Sequence, residues 1–233
     1  MADRDTDLNV LAGTEIFRSL PMEIIDEARR LAVRKRLSRR EALYHQGDSA
    51  DSFHIVIVGR LRAIQIAPDG SQVALRYLGP GEMAGYAALA GLATYPGTVS
   101  AVEDTHLFSW PTPVIRDLMG KYAQIAINAL AVLGSRYQET QTRLRELSTE
   151  TVERRIAHTL TRLAKQAGRR TAMGIEICFP LSRQDFAELA GTSLHTVSRT
   201  LSAWEKDGIV SSSHRYIVIH QPDFLKQIEN EAS

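Results

Sequence analysis

The sequence predicts an α+β fold in three parts: a small β-sandwich or barrel, a long helix, and a compact C-terminal unit around two short helices. Three observations predict it. Short apolar–polar runs between turn signals fill residues 33–110, a 3.5-residue apolar repeat follows, and two capped helical segments meet at Gly191.

In the first part, Phe53-His54-Ile55-Val56-Ile57-Val58 stops at Gly59, and Leu61-Arg62-Ala63-Ile64-Gln65-Ile66 alternates apolar with polar. Pro68-Asp69-Gly70 makes a turn, residues 73–78 resume the strand pattern, and Gly79-Pro80-Gly81 breaks it again. Runs this short belong to a sandwich or barrel rather than to alternating strands and helices. This part is expected to span residues 1–111.

Pro111 and Pro113 close the β region, and the period changes. Ala126, Leu130, Leu133, Tyr137, Thr140, Leu144 and Leu147 follow one another at alternating steps of four and three. That is the pattern of a helix packed lengthwise against a partner. A helix covering only its own β-domain is the simpler alternative, but a long exposed helix between two domains fits a homodimer better. This dimerisation helix is expected over residues 112–148.

Ser148 or Thr149 caps the next helix, whose apolar face includes Val152, Ile156, Leu160 and Leu163, and Gly168-Arg169-Arg170 ends it. Residues 175–179 read as a strand stopped by Pro180. Ser182 then caps a short helix with an apolar face at Phe186, Ala187, Leu189 and Ala190. Gly191 permits the sharp turn; Ala187 before it allows close approach and Val197 after it fills the space between the helices. Ser193 caps the second helix, which runs to a C-terminal glycine at Gly208. Val197, Leu201 and Trp204 face inward, leaving Leu194, His195, Ser198, Arg199 and Ser202 outward. Ile209-Val210 and residues 216–219 flank a polar turn at residues 211–215, a two-stranded wing. This third part covers residues 149–233. A second helix so placed enters a major groove by its N-terminal half. The expected DNA-binding residues are Arg183, Ser193, Leu194, His195, Thr196, Ser198, Arg199 and Ser202. A hairpin used only for packing would not need both caps, the outward Ser198–Arg199 pair and the wing together.

Composition narrows the function classes. A chain of 233 residues, 44% hydrophobic and 24% charged, is ordinary for a globular protein, and no apolar run reaches the ~18 residues of a membrane span. Met1-Ala2-Asp3-Arg4-Asp5 does not read as a secretory leader, so a cytoplasmic location is expected. Cys178 is the only cysteine, which excludes an internal disulfide, an iron–sulfur cluster and a Cys-rich zinc site. Net charge is +1, with 17 basic and 17 acidic residues up to Ser148 and 11 and 10 after it. DNA affinity must then come from a local basic face. There is no nucleophile elbow, phosphate-binding glycine loop, metal pair or acid/base constellation, so neither catalytic residues nor a metal are expected.

Leu194-His195-Thr196-Val197-Ser198-Arg199 resembles the recognition helix of the CRP/FNR superfamily. The stretch from Tyr44-His45-Gln46-Gly47-Asp48 to Gly59-Arg60-Leu61, with Gly81-Glu82 and Gly85, resembles its cyclic-nucleotide-binding-type β-roll, a jelly roll. The resemblance runs from about Phe17 to Ile219, in the order β-roll, dimer helix, winged helix-turn-helix. It implies a homodimer on an inverted-repeat double-stranded DNA operator, recruiting or blocking RNA polymerase. By the same resemblance Arg199 donates to guanine O6 and N7, and Ser198 contacts a neighbouring base or phosphate. Many members have glutamate where His195 stands, so a half-site with a TTG-like core and a different neighbouring base is expected. Histidine there also resembles the nitrogen-oxide-responsive NnrR-like branch.

A cyclic-AMP-binding β-roll carries a glutamate for the ribose and an Arg-Ser pair for the phosphate. The matching residues here are Tyr86 and Gly97-Thr98, so control by cyclic AMP through that pocket is not expected. The candidate effector pocket comprises Gly85, Tyr86, Gly97, Thr98 and, on the dimer helix, Thr140. A cyclic-nucleotide regulator with an altered pocket is the main alternative. Haem held by His45, His54 or His106 is another, although structural roles suit these histidines better. Cys178 reads as a small buried residue rather than a redox switch.

Overall fold

The computed structural model describes residues 2–213 and 216–230. They form two compact units, one up to Glu139 and one from Thr140 onward.

The first unit opens with α1 (Ala2–Ala12), a single 3₁₀ turn (Glu15–Phe17) and α2 (Met22–Leu31). Eight strands follow: β1 (Val33–Leu37), β2 (Ala42–Tyr44), β3 (Ser52–Val58), β4 (Leu61–Ile66), β5 (Gln72–Leu78), β6 (Met83–Ala84), β7 (Thr98–Ala101) and β8 (Thr105–Pro111). A short α3 (Tyr86–Ala90) separates β6 from β7. The strands make two four-stranded sheets, ordered β1-β8-β3-β6 and β2-β7-β4-β5, with antiparallel neighbours.

Two apolar layers explain the composition of β3. Between the sheets lie Leu37, Val56, Leu61, Leu78, Val99 and Leu107. On the outer face of the first sheet, Phe53, Ile55, Ile57, Phe108 and Trp110 pack against Leu11, Phe17, Ile25, Ile115 and Ile125 from the helices. A strand covered on both sides reads as a nearly continuous apolar run, as residues 53–58 do. Trp110 is fully buried, and its indole nitrogen donates to the Ala28 carbonyl at 2.7 Å. Burying a side chain of this kind contributes roughly 1.5–3 kcal/mol.

After the strands, α4 (Thr112–Lys121) and α5 (Ala123–Thr149) replace the single helix expected over residues 112–148. Tyr122 leaves the helical region at φ −124°, ψ 87°, and its hydroxyl donates to Glu27 at 2.7 Å beside the Lys121–Glu27 ion pair. Ile115 and Leu118 thereby tuck into the helical layer, so α4 belongs to the β-roll. The division between the two units falls within α5, between Glu139 and Thr140.

The second unit continues with α6 (Val152–Ala167), β9 (Gly168–Thr171), β10 (Gly174–Ile177), α7 (Arg183–Ala190), α8 (Leu194–Lys206), β11 (Val210–Ser213), β12 (Tyr216–Ile219) and α9 (Pro222–Asn230). Its sheet is ordered β11-β12-β10-β9. Four local expectations change. Thr151, not Ser148 or Thr149, caps α6, its side chain accepting from the Arg154 amide. Residues 168–170 end α6 as expected but also form strand β9 paired with β10. Ser211, Ser212 and Ser213 extend β11 instead of turning; His214 and Arg215 lie outside the described residues. Cys178 is exposed just past the end of β10, not buried, because the flanking Ile177 and Phe179 take the core side.

Candidate nucleic-acid interface

The α7–α8 pair is assembled by local chemistry. Ser182 Oγ accepts from the Asp185 amide at 3.0 Å, and Phe186, Ala187, Leu189 and Ala190 are buried. Gly191 ends α7 in the left-handed region (φ 62°, ψ 45°), where the Thr192 amide reaches back to the Ala187 carbonyl at 3.0 Å. A Cβ there would also collide with the Leu147 side chain. Ser193 Oγ accepts from the Thr196 amide at 3.1 Å and starts α8. Gly208 is left-handed (φ 66°), and the Ile209 amide bonds to the Trp204 carbonyl at 2.8 Å, closing the far end.

Along α8, Val197, Leu201 and Trp204 are buried. His195, Arg199 and Ser202 are exposed, Leu194 is 45% exposed, and Thr196 and Ser198 are half-buried. Neither the His195 ring nor the Arg199 guanidinium has a partner among the described residues. A planar five-donor fork on the outer face of a short capped helix is suited to bidentate acceptors such as a guanine edge.

Arg183, also expected at the DNA, has protein partners. Its Nη2 donates to Ser212 Oγ at 2.8 Å and lies 3.4 Å from Glu205 Oε1, while Ser212 Oγ itself bonds to Glu205. Arg183 thus ties α7, α8 and β11 together. Two further arginines escaped the sequence reading. Arg143 Nη2 donates to the Leu189 carbonyl at 2.6 Å, and Arg155 donates to the carbonyls of Ala190 and Gly191 at 3.2 and 3.1 Å. Both cap the end of α7 from other helices; sequence spacing carries no signal for this.

On α5, Leu130, Tyr137, Leu144 and Leu147 are 70, 66, 58 and 45% exposed. Thr140 is exposed, and Ala126 and Leu133 are half-buried. Ile125, Ala129 and Val132, on the other side, are buried in the helical layer. Five of the seven heptad positions are therefore exposed, on the face of α5 next to the covered one.

The candidate effector pocket is only partly assembled. Gly85 (φ 80°) is buried, and a Cβ there would sit 2.6 Å from the Ser52 carbonyl oxygen. A Cβ at Gly97 would lie 2.6 Å from the Ile64 carbonyl oxygen, so that position admits no side chain. Thr98 is buried and accepts from the Gln46 amide at 2.9 Å. Tyr86 meets Arg136, whose Nε is 3.4 Å from its hydroxyl and whose guanidinium lies 5.9 Å from its ring centre. Burial raises the Tyr86 pKa. Arg136 also grips both oxygens of Glu139 at 2.8 Å, and Arg76 pairs with Glu82 at 2.6 Å and Glu139 at 3.8 Å. Thr140 falls in the other unit.

His45 and His106 are exposed. His54 is buried, with Nδ1 2.5 Å from Ser109 Oγ, and burial, aided by Lys35, pushes its pKa down to about 3. Asp48 and Asp51 line the cleft beside it, carboxylates unsuited to facing the anionic edge of a haem. Among the described residues, no group of three or more His, Cys, Asp or Glu is placed to hold a metal. No described helix is long and apolar enough to cross a membrane.

Residues 154–228 match the model of the Crp-like helix-turn-helix domain and residues 34–122 that of the cyclic nucleotide-binding domain, together most of the chain. The chain is similar to the Cyclic AMP receptor protein of Thermus thermophilus, 28% identical over 218 residues, 94% of this chain and 98% of that protein. It is also similar to the Fumarate and nitrate reduction regulatory protein of Escherichia coli, 23% identical over 195 residues, 84% of this chain and 78% of that protein. The solved structure of FixK2 from Bradyrhizobium japonicum shares the fold, with a TM-score of 0.77 at 23% identity over 87% of this chain and 99% of that one.

Proposed function

The chain belongs to the CRP/FNR family of DNA-binding transcription regulators, and from that premise we propose that it works as a homodimer on an inverted-repeat operator. One observation carries the reading: α8 is capped, anchored by three buried side chains, and presents His195 and Arg199 without partners among the described residues. Arg199 reads a guanine and His195 its neighbour, while two copies of α5 bury their apolar stripes against each other. The operator-bound dimer acts by recruiting or blocking RNA polymerase.

Cyclic AMP is not the signal in this reading. The Thermus thermophilus relative is a cyclic AMP receptor by name, but here Gly97 has no room for an arginine and Tyr86 offers no carboxylate. A phosphate left without its charged hydrogen bond forfeits about 1.5–3 kcal/mol.

Selection of random duplex DNA by the purified protein, in air and without added ligand, tests the proposal. We expect an inverted repeat with a TTG-like core, and a changed neighbouring base for His195→Glu. Recovery of no repeat, or an unchanged preference in the variant, would refute the assigned readout.

A further inference from the structure

The layer between the two sheets of the β-roll changes character at one end. Leu37, Val56 and Leu107 fill it with apolar groups, but the row Val33, Ser109 and His54 on the same face is largely polar. A cleft of about 560 Å³ lies there, lined from β1 and β2, the end strands of the two sheets, and from β3 and β8. That volume suits a small organic ligand. None of the candidate effector residues lines it.

The cleft has a fixed wall and a polar floor. Tyr44 and Tyr95 stack with ring centres 3.7 Å apart. The Tyr95 hydroxyl donates to the Ser52 carbonyl at 2.7 Å, and the Tyr44 hydroxyl accepts from the Gly85 amide at 3.0 Å. On the floor, His54 is only 4% exposed, and its Nδ1 bonds to Ser109 Oγ. Its Nε2 has no partner among the described residues. A buried polar atom left without a hydrogen bond is costly, and a bound ligand can supply one.

Three charged side chains lining the cleft also lack a counter-charge. Lys35, Asp48 and Asp51 make no ion pair among the described residues. The two carboxylates accept from the His45 amide at 2.8 Å and the Ser52 hydroxyl at 3.0 Å. Lys35 is in register with Leu107 and, through it, Val56, so it stands five residues along and two strands across from Asp51. That offset separates the Cα atoms by about 19 Å, and side chains reaching inward leave roughly 10 Å between the charges.

We propose that this cleft binds an extended peptide of about three residues, its terminal ammonium at Asp48 and Asp51 and its terminal carboxylate at Lys35. The peptide amides lie over Ser109 and over His54 Nε2, which donates or accepts according to its tautomer. Its side chains pack on the Tyr44 ring. A single amino acid, with both charges on adjoining carbons, cannot reach both ends. The inference does not depend on the operator-binding reading.

Calorimetric titration of the full chain with trialanine, its N-acetyl form, its C-terminal amide and free alanine tests the inference. Wild type should bind trialanine saturably and each blocked form about tenfold more weakly. Lys35→Gln should weaken trialanine about tenfold yet leave the affinity for the amide unchanged. Asp48→Asn/Asp51→Asn should weaken trialanine likewise and leave the N-acetyl form unchanged; asparagine keeps the acceptor for the His45 amide. All three side chains are exposed, so the variants should keep the wild-type circular dichroism spectrum. No saturable binding of trialanine up to about 10 mM overturns the inference. So does equal weakening of free and blocked peptides by the variants, because the ends would then not be what the charges hold. Free alanine binding as tightly as trialanine overturns it too, since one residue cannot span the cleft.

Discussion

Arg199 and His54 show opposite fates for a polar side chain. Arg199 is exposed on α8 and has no partner among the described residues, so its removal should cost recognition and not folding. Arg199→Ala is expected to lose about 1–3 kcal/mol of operator affinity and relax preference at one base, measured by titrating matched and mismatched duplexes. A uniform loss on every sequence would reassign it to phosphate contact. His54 is buried beside Ser109, and its pKa falls from 6.5 to about 3. Above pH 6.5 both folded and unfolded chains carry a neutral ring. Below it only the unfolded chain gains the proton, so stability is lost as pH falls toward about 3, at up to about 1.4 kcal/mol per unit. Urea midpoints between pH 6.5 and 4.5 should therefore drop more steeply in wild type than in His54→Gln. Parallel slopes would remove His54 as the cause.

At the scale of elements, α5 carries two apolar faces with different destinations. Ile125, Ala129 and Val132 close the β-roll, whereas Leu130, Tyr137 and Leu144 remain uncovered. In the proposed homodimer a second copy of the helix covers this stripe of 3.5-residue period. Leu130→Glu, at a position 70% exposed, should leave the circular dichroism spectrum unchanged and convert dimer to monomer in sedimentation. A variant that stays dimeric would move the interface elsewhere. Among helix ends, the α7–α8 turn is held three ways: by the Ser193 cap, by Gly191, and by Arg143 and Arg155 on the last carbonyls of α7. Only the first two can be read along the chain.

For the molecule as a whole, family membership and effector are separate matters. The β-roll has the cyclic nucleotide-binding architecture, yet Arg76, Glu82, Arg136 and Glu139 pair with one another around Tyr86. Titration with cyclic AMP, followed by tryptophan fluorescence, should show no saturable change at micromolar concentrations and no gain in operator affinity. Tight binding would restore the altered-pocket alternative.

The order of parts, the extents of β4 and α8, both serine caps and the Gly191 turn were legible in the sequence, because period, capping chemistry and positive φ depend on neighbours a few residues apart. Strand β9 was not, since Gly168-Arg169-Arg170-Thr171 has no strand pattern and is extended by pairing with β10. Nor was the break at Tyr122, which a tie to Glu27 of α2 holds. The commitment of Arg183 to Glu205 and Ser212 and the exposure of Cys178 were likewise decided by the tertiary structure. A side chain's local period says which way it points; only the folded chain supplies what it meets there.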